Sequence, residues 1–556
     1  MKRRSFINQL AGYSGLALIP GLQSCRNEAG ETTIQTSVNP AFNPDLDVRL
    51  KASSQQFNIL PGGSTQAATY LPEVLGGNDE LLDSRPGSYL GPVFRVKPGD
   101  KIRVRFRNEI DGESIIHWHG LHVSPRMDGH PRFAVPPGED FIYEFEITDR
   151  PGTYWFHPHP DKITGPQVYS GLAGMFLVED PQQGQNNLPN GEYDLPLIIQ
   201  DRTFDQSNQL VYGQNRMTQM TGFLGDQILV NGKSDQQIEV EKATYRFRVL
   251  NGSNSRIYKL AWGDGKPLTI IGTEGGLLEQ PQQLPYLMLA PGERYELWVD
   301  FSEFNTGDHP RLKSLAFNPG MIMHGQGMGM MGNRGMGGMM GDQSSLPLGS
   351  EYEIVSFKVK DEQGTKKELP SRLSDIQPLE INNAVNQDQP RSFNFFMEQM
   401  QWTINGETFA MDEAAEWEIV QLGTTEVWEF INGNAQMGMM GGDGDGMMGG
   451  RGMMGRNQEQ GGMMNDMMQM PHPVHIHGLQ FQIIDRDVSQ VVPSIWNTIK
   501  DGFVDGGWQD TFLLMPDMKV RILLEFRDFT GLYVYHCHNL EHEDMGMMRN
   551  YKVVEG

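Results

Sequence analysis

Four pairs of histidines, each split by one residue, divide the 556-residue chain: His117-Trp-His119, His157-Pro-His159, His475-Ile-His477 and His536-Cys-His538. On a strand, residues two apart leave the same face, so each pair presents two imidazoles side by side. The flanking residues repeat too. His117-Trp-His119-Gly-Leu121 matches His475-Ile-His477-Gly-Leu479, and Tyr154-Trp-Phe-His157-Pro-His159 matches Tyr533-Val-Tyr-His536-Cys-His538. Two equivalent units therefore carry two pairs each, and the stretch between them carries none. If those units meet, eight imidazoles converge. Eight neutral nitrogen donors are costly to bury without a metal, and imidazole suits copper.

The last pair holds a thiol. Cys537 lies between His536 and His538 and points to the other face of the same strand, so one Cys-His step can join two metal sites. His542 follows five residues after the cysteine and Met547 ten after it, and His472 stands three before His475. A cysteine, two histidines and a weak axial methionine make up the blue-copper electron-transfer set. Met545 and Met548 flank Met547 as competing thioethers.

Strand patterns repeat three times. Ile102, Val104 and Phe106 alternate with Arg103, Arg105 and Arg107 after the turn Pro98-Gly-Asp100, a half-buried strand. Arg105-Phe-Arg-Asn108 reappears as Phe247-Arg-Val-Leu-Asn251 and as Trp428-Glu-Phe-Ile-Asn432. Pro137-Gly-Glu-Asp-Phe-Ile-Tyr recurs as Pro291-Gly-Glu-Arg-Tyr-Glu-Leu and more loosely as Pro516-Asp-Met-Lys-Val-Arg-Ile. With almost no helical periodicity, this predicts an all-β chain of three Greek-key sandwiches, with boundaries near residues 188 and 375.

Lys and Arg total 45 against 70 Asp and Glu, a net charge of −25, which argues against a nucleic-acid partner. Paired Arg3 and Arg4 before a weakly apolar Leu10–Leu22 stretch resemble a twin-arginine export signal over 1–25. Leu22-Gln-Ser24-Cys25 also reads as a lipoprotein processing site, with Cys25 as the lipid anchor. Export to the periplasm or to the outer side of the cell envelope follows. Residues 26–45 read as a polar tether. Cys25 and Cys537 are the only cysteines, so the mature chain holds one thiol, which a metal would keep as thiolate.

Two Met- and Gly-rich tracts interrupt the pattern: residues 321–341 hold eight methionines and residues 437–470 hold twelve, together 20 of the 34. Such sequence forms no packed core and reads as long insertions. His122, His130, His309 and His324 read as ordinary surface or core histidines, although His324 lies in a tract.

On these motifs the chain resembles the three-domain multicopper oxidases, the family of laccases and bacterial cuprous oxidases, over nearly its whole mature length. The resemblance implies three cupredoxin-like β-sandwich domains at 46–188, 189–375 and 376–556, the tracts lying in the second and third. It implies four copper ions. His472, Cys537, His542 and Met547 would bind a type 1 copper, and His117 and His475 a type 2 copper. His119, His157, His159, His477, His536 and His538 would hold the type 3 pair. Substrate electrons would pass from the type 1 site through Cys537 and its neighbouring histidines to dioxygen, which leaves as water. Asp128 and Glu543 occupy positions where the family places proton relays.

Thioethers suit Cu(I), and the second tract runs straight into Met470-Pro-His472. This favours a cuprous oxidase acting in copper tolerance. Met470 matches a family substrate-copper position. Met468, however, stands where an acid is expected, with Asp443, Asp445 and Asp466 as substitutes. A laccase-like oxidase of phenols and aromatic amines is the alternative. A copper-sequestering protein of the cell envelope is another, although storage needs no dioxygen-reducing cluster.

Overall fold

The computed structural model describes residues 34–84, 87–181, 187–213, 215–234, 237–320, 344–433 and 469–556. The 1–25 segment with Cys25, the tract 321–341, His324, and residues 437–468 with Met468 and the three aspartates lie outside them.

The described strands form six sheets, two per sandwich. In each sandwich the repeated strand is central to one sheet. Lys101–Asn108, Thr244–Asn251 and Thr425–Asn432 each lie parallel to an earlier strand, Leu46–Phe57, Asp194–Arg202 and Arg391–Glu398 respectively. Each then pairs antiparallel with the strand after the repeated turn, Asp140–Glu146, Arg294–Asp300 or Lys519–Glu525. The alternation in Lys101–Asn108 is realised as read: Ile102, Val104 and Phe106 are fully buried, and Arg105 and Arg107 lie at the rim. Arg103 is the exception. It is buried against the carboxylates of Asp47 (3.1 Å) and Glu144 (2.6 Å).

The histidine pairs sit at matching places. Ile116–His119 runs antiparallel to Gly152–Pro158 with His117 opposite His157. In the third sandwich His472–Ile476 runs antiparallel to Gly531–Cys537 with His475 opposite His536 and Val474 opposite Cys537.

Of the stretch 26–45, the described part does not hang free. Arg103 donates to the carbonyls of Asn39 (3.1 Å) and Phe42 (2.8 Å), and the Ile142 amide donates to the Gln35 carbonyl (2.8 Å). Ile34 packs on the first core and the Arg103 guanidinium stacks over Phe42. Polar composition concealed two apolar anchors.

Buried charge joins the first two sandwiches. Arg248 forms a bidentate pair with Asp194 (2.8 and 2.8 Å) and reaches Glu296 (3.0 Å) and Thr153 of the first sandwich (3.2 Å). Arg246 pairs with the same Glu296. Removing one partner leaves buried carboxylates uncompensated, which costs about 3–5 kcal/mol. Arg248→Ala should therefore lower the unfolding free energy read from urea denaturation by that amount, with a lower midpoint, whereas a substitution at exposed Lys266 should not.

Candidate metal centres

All eight paired histidines are buried and converge between the first and third sandwiches. Donor atoms of His117, His475 and His477 lie within 4.8 Å of one another, as do those of His117, His119 and His157, and of His159, His477 and His536. His117 stacks on His477 and His119 on His475, with ring centroids 3.6 Å apart in both cases. His538 is edge-on to His119 (5.0 Å) and His157 (5.2 Å), and neither of its buried nitrogens has a hydrogen-bond partner.

Partners of the outer nitrogens decide where the lone pairs point. His117 Nδ1 lies 2.7 Å from the carbonyl oxygen of Asp128, and His475 Nδ1 lies 2.8 Å from that of Asp510. A carbonyl only accepts, so both Nδ1 atoms carry the proton and both Nε2 atoms bear lone pairs. Those two Nε2 atoms face each other at 3.2 Å. His119 Nε2 donates to the Asp510 carboxylate (3.1 Å) and His157 Nδ1 to the Pro158 carbonyl (2.9 Å). This leaves His119 Nδ1 and His157 Nε2 facing at 3.4 Å. His477 Nδ1 lies 2.8 Å from an Asp128 carboxyl oxygen, His536 Nδ1 donates to the Cys537 carbonyl (3.1 Å), and the Nε2 atoms of the two rings face at 3.1 Å. Facing lone pairs repel unless a cation lies between them, so this donor set fits metal ions. Burial drives His157 and His159 toward neutrality, down to about 3 and about 4.

Asp128 and Glu543 lie in this pocket. Burial pushes the Asp128 carboxyl up, and its Oδ1 has no hydrogen-bond partner. Burial would also raise Glu543, but the imidazoles of His536 (3.1 Å) and His159 (3.6 Å) outweigh it and hold that carboxyl low.

The second pocket lies on the other face of the Cys537 strand. His472 Nδ1 is 3.3 Å and His542 Nδ1 3.6 Å from Cys537 Sγ, and the two nitrogens are 3.3 Å apart. The Leu540–Asp544 helix carries His542, capped by Asn539. Met547 is fully buried in the core group that holds Cys537, and its backbone bonds to both Cys537 N (3.0 Å) and His542 O (2.9 Å). Met545 is only half-buried, and Met548 opens the final strand opposite His536. Met470 is buried in the same core group. His122 and His130 tie the two sandwiches together through Gly478, Asp528 and Asn550, and His309 meets Gln237.

Sequence reasoning missed three residues here. Asp510 mirrors Asp128: each gives its carbonyl to one histidine of its own sandwich and its carboxylate to one of the other. Arg294, from the middle sandwich, clamps Asp510 with two bonds of 2.6 Å. Gly292, in the repeated Pro-Gly-Glu turn (φ +85°), sits so close that a Cβ would stand 3.1 Å from His538 and 3.2 Å from His119. The repeated glycine after the histidine pair was the available signal. A side chain at Gly120 would collide with the Asp510 carboxylate and Arg294 guanidinium.

Three cupredoxin-like sandwiches, with an imidazole-rich pocket between the first and third and a Cys-His pocket on the other face of the Cys537 strand, define a protein of the cupredoxin class. Family models described as multicopper oxidase match residues 79–183, 194–313 and 455–556. A Staphylococcus haemolyticus multicopper oxidase is 30% identical over 84% of this chain and 83% of its own. A Bacillus subtilis laccase is 27% identical over 83% and 88%. The crystal structure of the McoA multicopper oxidase of Aquifex aeolicus aligns with a TM-score of 0.69 at 32% identity, covering 92% of this chain and 97% of that one. The chain belongs to the multicopper oxidase family. Membership makes it a copper-dependent oxidoreductase with dioxygen as acceptor.

Imidazoles whose folded pKa lies below the unfolded value of about 6.5 stabilise the fold fully above that pH and lose it as pH falls, by about 1.4 kcal/mol per unit each. For His159 the loss runs from about 6.5 down to about 4. The copper-free protein should therefore unfold in progressively less urea below pH ~6.5. Asp510→Asn should weaken copper retention by the histidine cluster about 10–100-fold while the Cys537 site stays loaded, read by copper analysis and visible absorption.

Proposed function

We propose that the protein oxidises Cu(I) to Cu(II) in copper tolerance and passes the electrons to dioxygen. His472, Cys537, His542 and Met547 would hold a type 1 copper, His117 and His475 a type 2 copper, and the remaining six paired histidines two type 3 coppers. The observation that carries this reading is the register of Gly531–Cys537: Cys537 lies opposite Val474 while its neighbour His536 lies opposite His475, so one strand serves both pockets. Copper held by these residues would supply one-electron transfer from the donor and the four-electron reduction of dioxygen.

The chain's own residues do the rest. Cys537, covalently joined to His536 and His538, gives the shortest bonded path between the pockets. Asp128 and Asp510 hold the imidazole protons on the outer nitrogens. Glu543, between His536 and His159, and Asp128, through its unpartnered Oδ1, are placed to pass protons toward reduced dioxygen.

The preference for Cu(I) rests on thioethers. Met470, where the second tract ends, is buried two residues before His472, held by Asn432 at its carbonyl (2.6 Å). Ser344, where the described chain resumes after the first tract, bonds to the Gly225 carbonyl (2.9 Å), five residues past Met220 beside His542. Soft thioethers favour the cuprous ion. Oxidation of phenols is the second reading, supported by the laccase relative. The twin-arginine segment and the lone thiol support export to the cell envelope. Membrane attachment would rest on Cys25, and among the described residues no helix is long and apolar enough to cross a membrane.

Oxygen uptake by the copper-loaded protein with Cu(I), then with a phenol, tests the choice. Cu(I) turnover should be fast and should fall at least tenfold when residues 437–468 are removed, with phenol oxidation kept or raised. Poor Cu(I) turnover in both forms would leave the laccase reading. No uptake with either donor, despite full copper, would favour sequestration.

A further inference from the structure

The edge of His542 facing away from Cys537 is closed. Its Nε2 donates to the Met220 carbonyl (3.1 Å), and the Trp402 indole N–H donates to the same oxygen (3.0 Å). The Trp402 ring packs against His542 and His472, with centroids 4.6 and 4.9 Å away. Neither imidazole has any exposed surface. Met220 belongs to the short Arg216–Thr221 helix, which comes from the middle sandwich.

One carboxylate secures that helix. Glu541, directly before His542, is buried. One of its oxygens accepts from the Tyr212 hydroxyl (2.6 Å) and the Asn254 amide (2.9 Å). The other accepts from the Phe223 backbone N–H (3.1 Å) and the Ser255 hydroxyl. All four donors belong to the middle sandwich, and Tyr212 and Phe223 bracket the helix in sequence. With four donors on one buried carboxyl group, this clamp fixes the Arg216–Thr221 helix to the Leu540–Asp544 helix that carries His542.

We propose that the Arg216–Thr221 helix, clamped by Glu541, determines which electron donors the Cys537 pocket accepts. It keeps the Met220 carbonyl on the position a phenol would need for a hydrogen bond to His542, and so excludes planar aromatic donors. A small cuprous ion has no such requirement. The inference rests on the assignment of the Cys537 pocket as the electron-entry site. Glu541 and its partners act here as positioning residues.

The test uses the copper-loaded full chain, a Tyr212→Phe/Ser255→Ala variant, and Tyr212→Phe alone as the milder change should the double variant fail to fold. Hydrogen exchange of the 216–223 amides reads the clamp, and oxygen uptake reads selectivity with 2,6-dimethoxyphenol and with Cu(I). Expected are faster exchange at Phe223 and a KM for the phenol lowered about tenfold, with kcat for Cu(I) changed less than about twofold and the thiolate–copper absorption band unmoved. Faster exchange with an unchanged phenol KM would overturn the proposal. So would exchange that stays slow, because Glu541 would then not be what holds the helix. If the intact protein fails to oxidise Cu(I), the cuprous reading falls, and the comparison of phenol KM values still decides the role of the cover.

Discussion

Two backbone carbonyls, those of Asp128 and Asp510, set the terms for the rest of the molecule. By accepting from His117 Nδ1 and His475 Nδ1 they turn two lone pairs toward each other at 3.2 Å. In a buried space that arrangement is repulsive without a cation, and these two rings cannot turn away without giving up the bond that holds each at Nδ1. The fold holds the rings in a geometry that metal binding stabilises, and so couples the meeting of the first and third sandwiches to copper.

The middle sandwich supplies none of these imidazoles, yet both pockets depend on it. Arg294 neutralises and orients Asp510, and through it His119. Gly292 brings backbone against His119 and His538 where any side chain would intrude. At the other pocket, Met220 and the donors to Glu541 cover His542. The middle unit has kept the repeated strands and the Pro-Gly-Glu turn and uses them as walls for sites carried by its neighbours. The Arg248–Asp194–Glu296 cluster, touching Thr153 four residues before His157, keeps that wall in register with the first sandwich.

The three-fold strand pattern and the histidine pairs were legible because they obey local rules. Alternation with period two survives in the fully buried Ile102, Val104 and Phe106, and the matched flanks of the pairs reappear as matched registers, His117 opposite His157 and His475 opposite His536. The described part of 26–45 was misjudged because Ile34 and Phe42 are too few to mark a docked segment, and the arginine that holds it, Arg103, lies some sixty residues on. Asp510 escaped notice for a related reason. Asp128 follows its histidine pair by nine residues and Asp510 follows its own by thirty-three, so their equivalence has no trace in spacing.

The sequence by itself determined the all-β repeat, the donor types and the placing of Cys537 between two histidines, because strand periodicity and covalent adjacency are properties of neighbouring residues. Only the tertiary structure decided which nitrogen of each imidazole faces inward, which acids orient them, and that a helix of the middle sandwich closes the edge of His542. Those outcomes depend on hydrogen bonds between residues up to several hundred positions apart, and on the burial that gives each bond its strength.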